Sequence, residues 1–154
     1  MPKKKKQVDV ENAGIVPRDD YEQVLRDIIA AGFCPFCEEH FFKHHRKPIE
    51  VVTKHWLVTE NTWPYKGSRF HFLFIARTHV EKTEGLSPAA WADLQTQYRA
   101  LVKRYRIKGA TLFIRSGDME MTGATVTHIH AHLVGGGRRT KNPKPIKALI
   151  GFEQ

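Results

Sequence analysis

The sequence predicts an α+β domain, an antiparallel sheet with one long helix packed on it. Three observations carry this. Strand-length runs rich in alternating or aromatic residues outnumber the helices able to serve as crossovers. No βαβ unit repeats. One long helical periodicity, after Gly85, stands alone between two groups of strands. With 154 residues, 41% of them hydrophobic, the chain has material for one core. No apolar run approaches the ~20 residues of a membrane helix. Met1-Pro2-Lys3-Lys4-Lys5-Lys6 lacks the apolar stretch of a secretory signal, so the expectation is a soluble, cytoplasmic protein with no membrane partner.

Residues 1–17 read as a disordered basic arm, charged, proline-bounded and without periodicity. A helix is expected from Asp19, with Asp19 or Asp20 as cap, Tyr21, Val24, Leu25, Ile28 and Ile29 at helical spacing, and Gly32 as the stop. Ile49 to Val58 reads as one strand with a break in its alternation at Lys54-His55-Trp56. Residues 61–67 read as a loop. Arg69 to Ala76 is a strand buried on both faces, in which His71 needs a partner or a job. Ser87 caps the long helix and Pro88 takes its first position. Trp91, Leu94, Tyr98, Leu101 and Val102 form its expected buried stripe. A strand follows from Ala110 to Arg115, then a loop from Ser116 to Thr122. The domain is therefore placed at 18–137, with a basic C-terminal tail at 138–154.

The formal net charge is +9, concentrated at Lys3–Lys6 and in Arg138, Arg139, Lys141, Lys144 and Lys147. Such clusters suit polyanions, whether nucleotides, polyphosphates or nucleic acid, although each is also consistent with a solvated tail. The N-terminal Pro-Lys-Lys-Lys-Lys string also resembles a nuclear-localisation signal.

His128, His130 and His132 alternate with Ile129, Ala131 and Leu133, so a strand here puts the imidazoles on one face and the apolar row on the other. Chance placement on a solvated face and a three-histidine metal site are alternatives. Nucleophilic attack of a neutral imidazole on phosphorus is the favoured reading, with a neighbouring imidazole fixing its tautomer or serving the leaving oxygen. Cys34-Pro35-Phe36-Cys37 holds the only two cysteines, a redox pair, half a tetrahedral zinc site, or two small residues in a turn. His40, His44 and His45 lie close in sequence, His79 and His128 further on.

The run His128-Ile129-His130-Ala131-His132-Leu133-Val134 resembles the signature of the histidine triad family of nucleotide hydrolases and transferases. The resemblance extends over roughly residues 33–137. It implies that His130 is nucleotidylated at the α-phosphate and that His132 hydrogen-bonds the phosphate or leaving group. Phe70 to His79 is similar to the family's strand ending in a histidine, although its usual proline is Ala76 here, and this makes His71 the residue that orients the triad. Zinc-bearing members, and the related galactose-1-phosphate uridylyltransferases, imply a structural Zn2+ on Cys34, Cys37, His79 and His128. Gly123 and Thr125 correspond to phosphate contacts. Arg115 stands where many members carry an asparagine, and offers a charge-assisted contact instead. Asn61 lies where members often carry an acidic ribose contact. The family also implies a homodimer.

Three functions follow from the resemblance. The first is a hydrolase or nucleotidyltransferase acting on dinucleoside polyphosphates, nucleoside phosphoramidates or adenylylated lysine. The second is a DNA- or RNA-end deadenylylase resembling aprataxin, its basic tails on the phosphate backbone. The third is a nucleotide-binding module without catalysis.

Overall fold

The computed structural model describes residues 6–154. Lys3, Lys4 and Lys5 lie outside the described residues. The chain forms α1 (Val10–Ile15), α2 (Tyr21–Ala31), α3 (Glu38–His44), β1 (Ile49–Val52), β2 (Trp56–Glu60), β3 (Phe70–Ala76), α4 (Pro88–Arg104), β4 (Thr111–Ile114), α5 (Met119–Thr122) and β5 (His130–Gly135). The strands make one antiparallel sheet in the order β1-β2-β3-β5-β4, the α+β architecture expected. No helix among the described residues is long and apolar enough to cross a membrane.

The alternation of β2, β3 and β5 divides the core in two. Trp56, Val58, Phe72, Phe74, Ile129, Ala131 and Leu133 pack with Leu94 and Leu101 of α4 on one face. Leu57, Leu73 and Ile75 turn to the other face, where they meet Phe41 of α3 and Phe36. Helix α4 starts as expected, with Ser87 Oγ accepting from the Ala90 N–H at 3.1 Å. Its stripe differs in two members, and Val102 is half-buried outside this cluster. Trp91 is 42% exposed, because Trp56 fills that end of the interface and donates its indole N–H to the Ala90 carbonyl at 2.7 Å. The small Ala90 faces the sheet instead. Helix α2 also ends as expected, on Gly32 at φ +74°.

Other expectations are corrected. The break at Lys54-His55-Trp56 is a hairpin bend between two strands. Thr53 Oγ1 accepts from the Trp56 N–H at 3.0 Å, which turns the chain back on itself. The loop from Ser116 to Thr122 contains α5, capped by Asp118 and closed by Gly123 at φ +74°. The segment after Cys37, for which no element was expected, is α3.

From Gln7 onward the N-terminal segment is packed rather than disordered. Val8 bridges Val126, the Asp9 N–H donates to the Thr125 carbonyl at 2.9 Å, and the Thr127 N–H donates to the Gln7 carbonyl at 3.0 Å. Asp9 caps α1, and Asn12 Nδ2 donates to the carbonyls of Met119 and Ala124 at 2.9 and 2.8 Å. Buried Val8 and Ala13 join Tyr21 and Leu25 in a small apolar cluster. The partners at residues 119–127 lie more than a hundred residues away, so local composition could not reveal them. At the other end, Leu149 packs over Gly123 and Ile146 over Gly136. Both chain ends thus fold over the sheet face that carries the histidines.

Candidate active site and metal centre

Antiparallel register sets the histidine face. His130 stands opposite Ile75, His132 opposite Leu73, and His71 on β3 is the diagonal neighbour of His132. His128 precedes β5 by two residues. None of the three alternating histidines is solvated, since His128, His130 and His132 are 0%, 7% and 5% exposed. This disposes of a solvated strand face.

The hydrogen bonds assign the imidazole protons. The Tyr65 backbone N–H donates to His71 Nδ1 at 3.2 Å, so the His71 proton is on Nε2. That group donates to His132 Nδ1 at 2.8 Å, which leaves the His132 proton on Nε2. His130 Nδ1–H donates to the His128 carbonyl at 2.8 Å, so His130 Nε2 keeps a free lone pair. The His130 and His132 rings lie 4.7 Å apart. Burial pushes His71 and His130 down to about 3, and the nearby Arg18 and Arg115 charges add to it. Burial also holds His132 well below the ordinary imidazole range. These rings are neutral near pH 7, as a nitrogen nucleophile must be.

A pocket opens between this face and the N-terminal helices. His130, His132, Asn61, Arg115, Gly123 and Thr125 all line it, so six of the predicted site residues share one cavity. Thr125 Oγ1 is 2.6 Å from Tyr21 Oη. Asn61 Oδ1 accepts from the Trp63 N–H at 3.0 Å, and Nδ2 rests 3.3 Å from both ring nitrogens of His71. Arg115 Nε donates to the Leu149 carbonyl at 2.8 Å and Nη2 donates to Tyr65 Oη at 3.1 Å. Sequence reasoning missed Tyr21, Trp63, Tyr65, Arg18 and Leu149, which complete the walls. Arg18 and Tyr21 arrive with the N-terminal segment and Leu149 with the C-terminal tail, while Trp63 and Tyr65 lie in the loop between β2 and β3, where nothing in the local pattern marks them.

His71 stands behind His132 on β3, and the four predicted metal ligands gather at a second site. Ligand atoms of Cys34, Cys37, His79 and His128 all lie within 4.8 Å of one another and could hold a metal ion. His128 Nε2–H donates to the Ala76 carbonyl at 2.6 Å, and His79 Nε2–H faces Glu81 Oε1 at 3.4 Å. Both Nδ1 lone pairs are thereby left bare and face each other at 3.1 Å. Two acceptors so close need a cation or a proton between them. Cys34 Sγ lies 3.4 Å from His128 Nδ1, and Cys37 Sγ lies 3.3 Å from His79 Nδ1. The backing of each imidazole by an acceptor is the usual support for a metal-bound histidine. Burial and the adjacent Cys34 push the Cys37 thiol up to about 12, a preference that a bound divalent cation reverses. His40 and His44 stack on Phe33, and His45 Nε2 meets Thr59 Oγ1, so these three stand apart from the cluster.

A family model described as the HIT domain matches residues 53–139. No curated protein matches the chain. Among solved structures, a HIT family hydrolase from Clostridium thermocellum is 22% identical with a TM-score of 0.57, covering 73% of this chain and 96% of its own. A Zn-bound histidine triad family protein from Mycobacterium smegmatis is 20% identical with a TM-score of 0.55, covering 78% and 84% respectively. A histidine triad nucleotide-binding protein from Candida albicans is 17% identical with a TM-score of 0.56, covering 73% and 86%. At these identities the structures establish a common fold. The family match spans more than half of the chain, including β2 to β5 and the whole alternating histidine run, and the chain therefore belongs to the HIT domain family.

Proposed function

We propose that the chain is a nucleotide hydrolase or nucleotidyltransferase acting at an α-phosphate through a nucleotidyl-histidine. One observation carries the reading. The hydrogen-bond chain from Tyr65 N–H through His71 to His132 leaves a donor on His132 Nε2, beside a neutral His130 whose Nε2 lone pair is free. In the first step His130 Nε2 forms a bond to phosphorus and the bond to the leaving group breaks, its electron pair departing with that group. In the second, water or another acceptor attacks phosphorus and His130 leaves, while the acceptor's proton is lost to solvent. Gly123 and Thr125 stand at the pocket wall to hold non-bridging oxygens, Asn61 to contact the sugar, and His132 to donate to the developing charge.

Zinc is the ion that suits two thiolates and two imidazoles. Bound by Cys34, Cys37, His79 and His128, it supplies structural cross-linking, tying the turn before α3 to the chain entering β5. A homodimer is the expected assembly. Trp91 on α4 and Leu112 on edge strand β4 are 42% and 41% exposed and offer it apolar surface. Light scattering should give twice the chain mass, and a monomer at micromolar concentration would refute that part.

The test is intact-protein mass spectrometry after a quench that avoids acid, with adenosine phosphoramidate, diadenosine tetraphosphate and adenylylated DNA as substrates. An AMP adduct or AMP release, lost in His130→Ala, is expected. Turnover retained in the pure variant would overturn the assignment. Turnover on adenylylated DNA alone would favour the nucleic-acid reading. Bound nucleotide without turnover would leave a binding module.

A further inference from the structure

Building on that reading, we propose that Arg115 and Arg18 form a leaving-group subsite that selects nucleotides whose leaving group is itself a polyphosphate anion. Both guanidinium groups line the pocket with His130 and His132, and no Asp or Glu lines it with them. Neither arginine makes an ion pair among the described residues. Two half-buried cations without a carboxylate are an electrostatic cost that an anionic ligand removes.

Tyr65 holds the two side by side. Its hydroxyl accepts from Arg115 Nη2 at 3.1 Å, and Arg18 lies over its ring with Cζ 5.0 Å from the centroid. Arg18 is also 4.1 Å from the Tyr21 centroid and donates through Nη1 to the Trp63 carbonyl at 2.9 Å. Its Nε is buried and has no hydrogen-bond partner.

The sharpest indication is a clash of donors. The proton chain puts a hydrogen on His132 Nε2, and Arg115 Nη1 sits 3.3 Å from that nitrogen. Reversing the chain does not help, because His71 would then present a proton to the Tyr65 N–H. Two neutral imidazoles cannot accept from Tyr65 and from Arg115 and still bond to each other. An anionic oxygen accepting from both His132 Nε2–H and Arg115 Nη1–H resolves the conflict.

This bears on the leaving group. An arginine stabilises negative charge on a departing oxygen without giving up a proton. A departing amine needs a proton instead, which neither guanidinium gives up. Phosphates beyond the α-phosphate are the chemistry that the two arginines fit.

Binding isolates this inference from catalysis. In the full-length, metal-loaded His130→Ala chain, affinities for AMP and ATP are compared by calorimetry without added magnesium. ATP should bind roughly 10- to 100-fold more tightly, the range for charge-assisted hydrogen bonds. Arg115→Met should remove most of that preference, weakening ATP binding more than AMP binding. Arg18→Met provides the same reading if Arg115→Met fails to fold, and rising salt should shrink the preference in the parent. Equal affinity for AMP and ATP would overturn the subsite, and so would an ATP preference unchanged in both arginine variants. An ATP preference that tracks the arginines in a chain that proves to turn over no nucleotide would keep the subsite and refute the hydrolase reading.

Discussion

Replacing Gly123 by alanine tests whether the C-terminal tail is part of the pocket. Gly123 ends α5 at φ +74°, a conformation that costs an alanine about 1–2 kcal/mol. A Cβ placed there would stand 2.6 Å from Leu149 Cβ, closer than such atoms approach, with Leu149 Cδ1 at 3.3 Å. Forcing extra volume into a packed contact adds roughly 1–3 kcal/mol. The sum, about 2–5 kcal/mol, lowers Tm by roughly 4–20 °C in a chain of this size. The two contributions separate in a double-mutant cycle with Leu149→Gly, which removes the Cβ that is struck. In that background Gly123→Ala should cost only the φ part, about 1–2 kcal/mol. The assay is urea unfolding of the four proteins followed by tryptophan fluorescence. Equal cost of Gly123→Ala in both backgrounds would refute the reasoning, since Leu149 would then not rest on Gly123. The tail's position matters to chemistry because the Leu149 carbonyl accepts from Arg115 Nε at 2.8 Å. Gly123→Ala should therefore also weaken the arginine-dependent preference for ATP.

Asn12→Ala withdraws the buried donor shared by the Met119 and Ala124 carbonyls, at about 1–3 kcal/mol for each group left unsatisfied. Urea unfolding should show that loss, and trypsin should cut faster after Lys6 and Arg18; an unchanged midpoint would detach α1 from the fold. Purified chain should carry one metal ion per molecule by plasma mass spectrometry, and Cys37→Ser or a chelator should remove it and lower Tm. Because both thiols must lose protons to bind, metal affinity should fall steeply as pH drops, and a pH-independent affinity would argue against thiolate ligands. His71 gives a separate pH signature. Burial holds it at about 3, below its usual 6.5, so the unfolded chain takes up a proton that the folded chain refuses. The stability it contributes is complete above pH 6.5 and is lost as pH falls from 6.5 toward 3. Urea midpoints at pH 7 and pH 5 should differ more for the wild type than for His71→Gln, and equal differences would refute the assignment.

What the sequence made legible was whatever depends on short-range periodicity. Alternation at His128–Leu133 separated the imidazoles from Ile129, Ala131 and Leu133, and all three apolar residues are fully buried under α4. Ser87-Pro88 and Gly32 marked helix ends because capping is a local matter. Two-plus-one-plus-one spacing of Cys34, Cys37, His79 and His128 carried no geometry of its own; the family resemblance supplied the grouping, and β3 and β5 bring the four together. Trp91 was misplaced because periodicity gives the face of a helix but not which large side chain from the sheet already occupies it.

The illegible part has a common cause. Residues 7–9 pair with 125–127, Asn12 reaches the carbonyls of 119 and 124, Arg18 stacks on Tyr65, and Leu149 returns to Gly123 and Arg115. All of these contacts tie a chain end to the histidine face. The matched family segment, 53–139, contributes the histidine strand, while the residues that roof the pocket come largely from outside it. A local pattern therefore reports the chemistry, and the chain ends, whose partners are distant in sequence, shape what that chemistry can reach. Arg18 and Arg115 exemplify the division. One arrives with the N-terminal helices and the other is held by the tail, and their meeting at Tyr65 is what, in the proposed reading, charges the pocket for a polyphosphate.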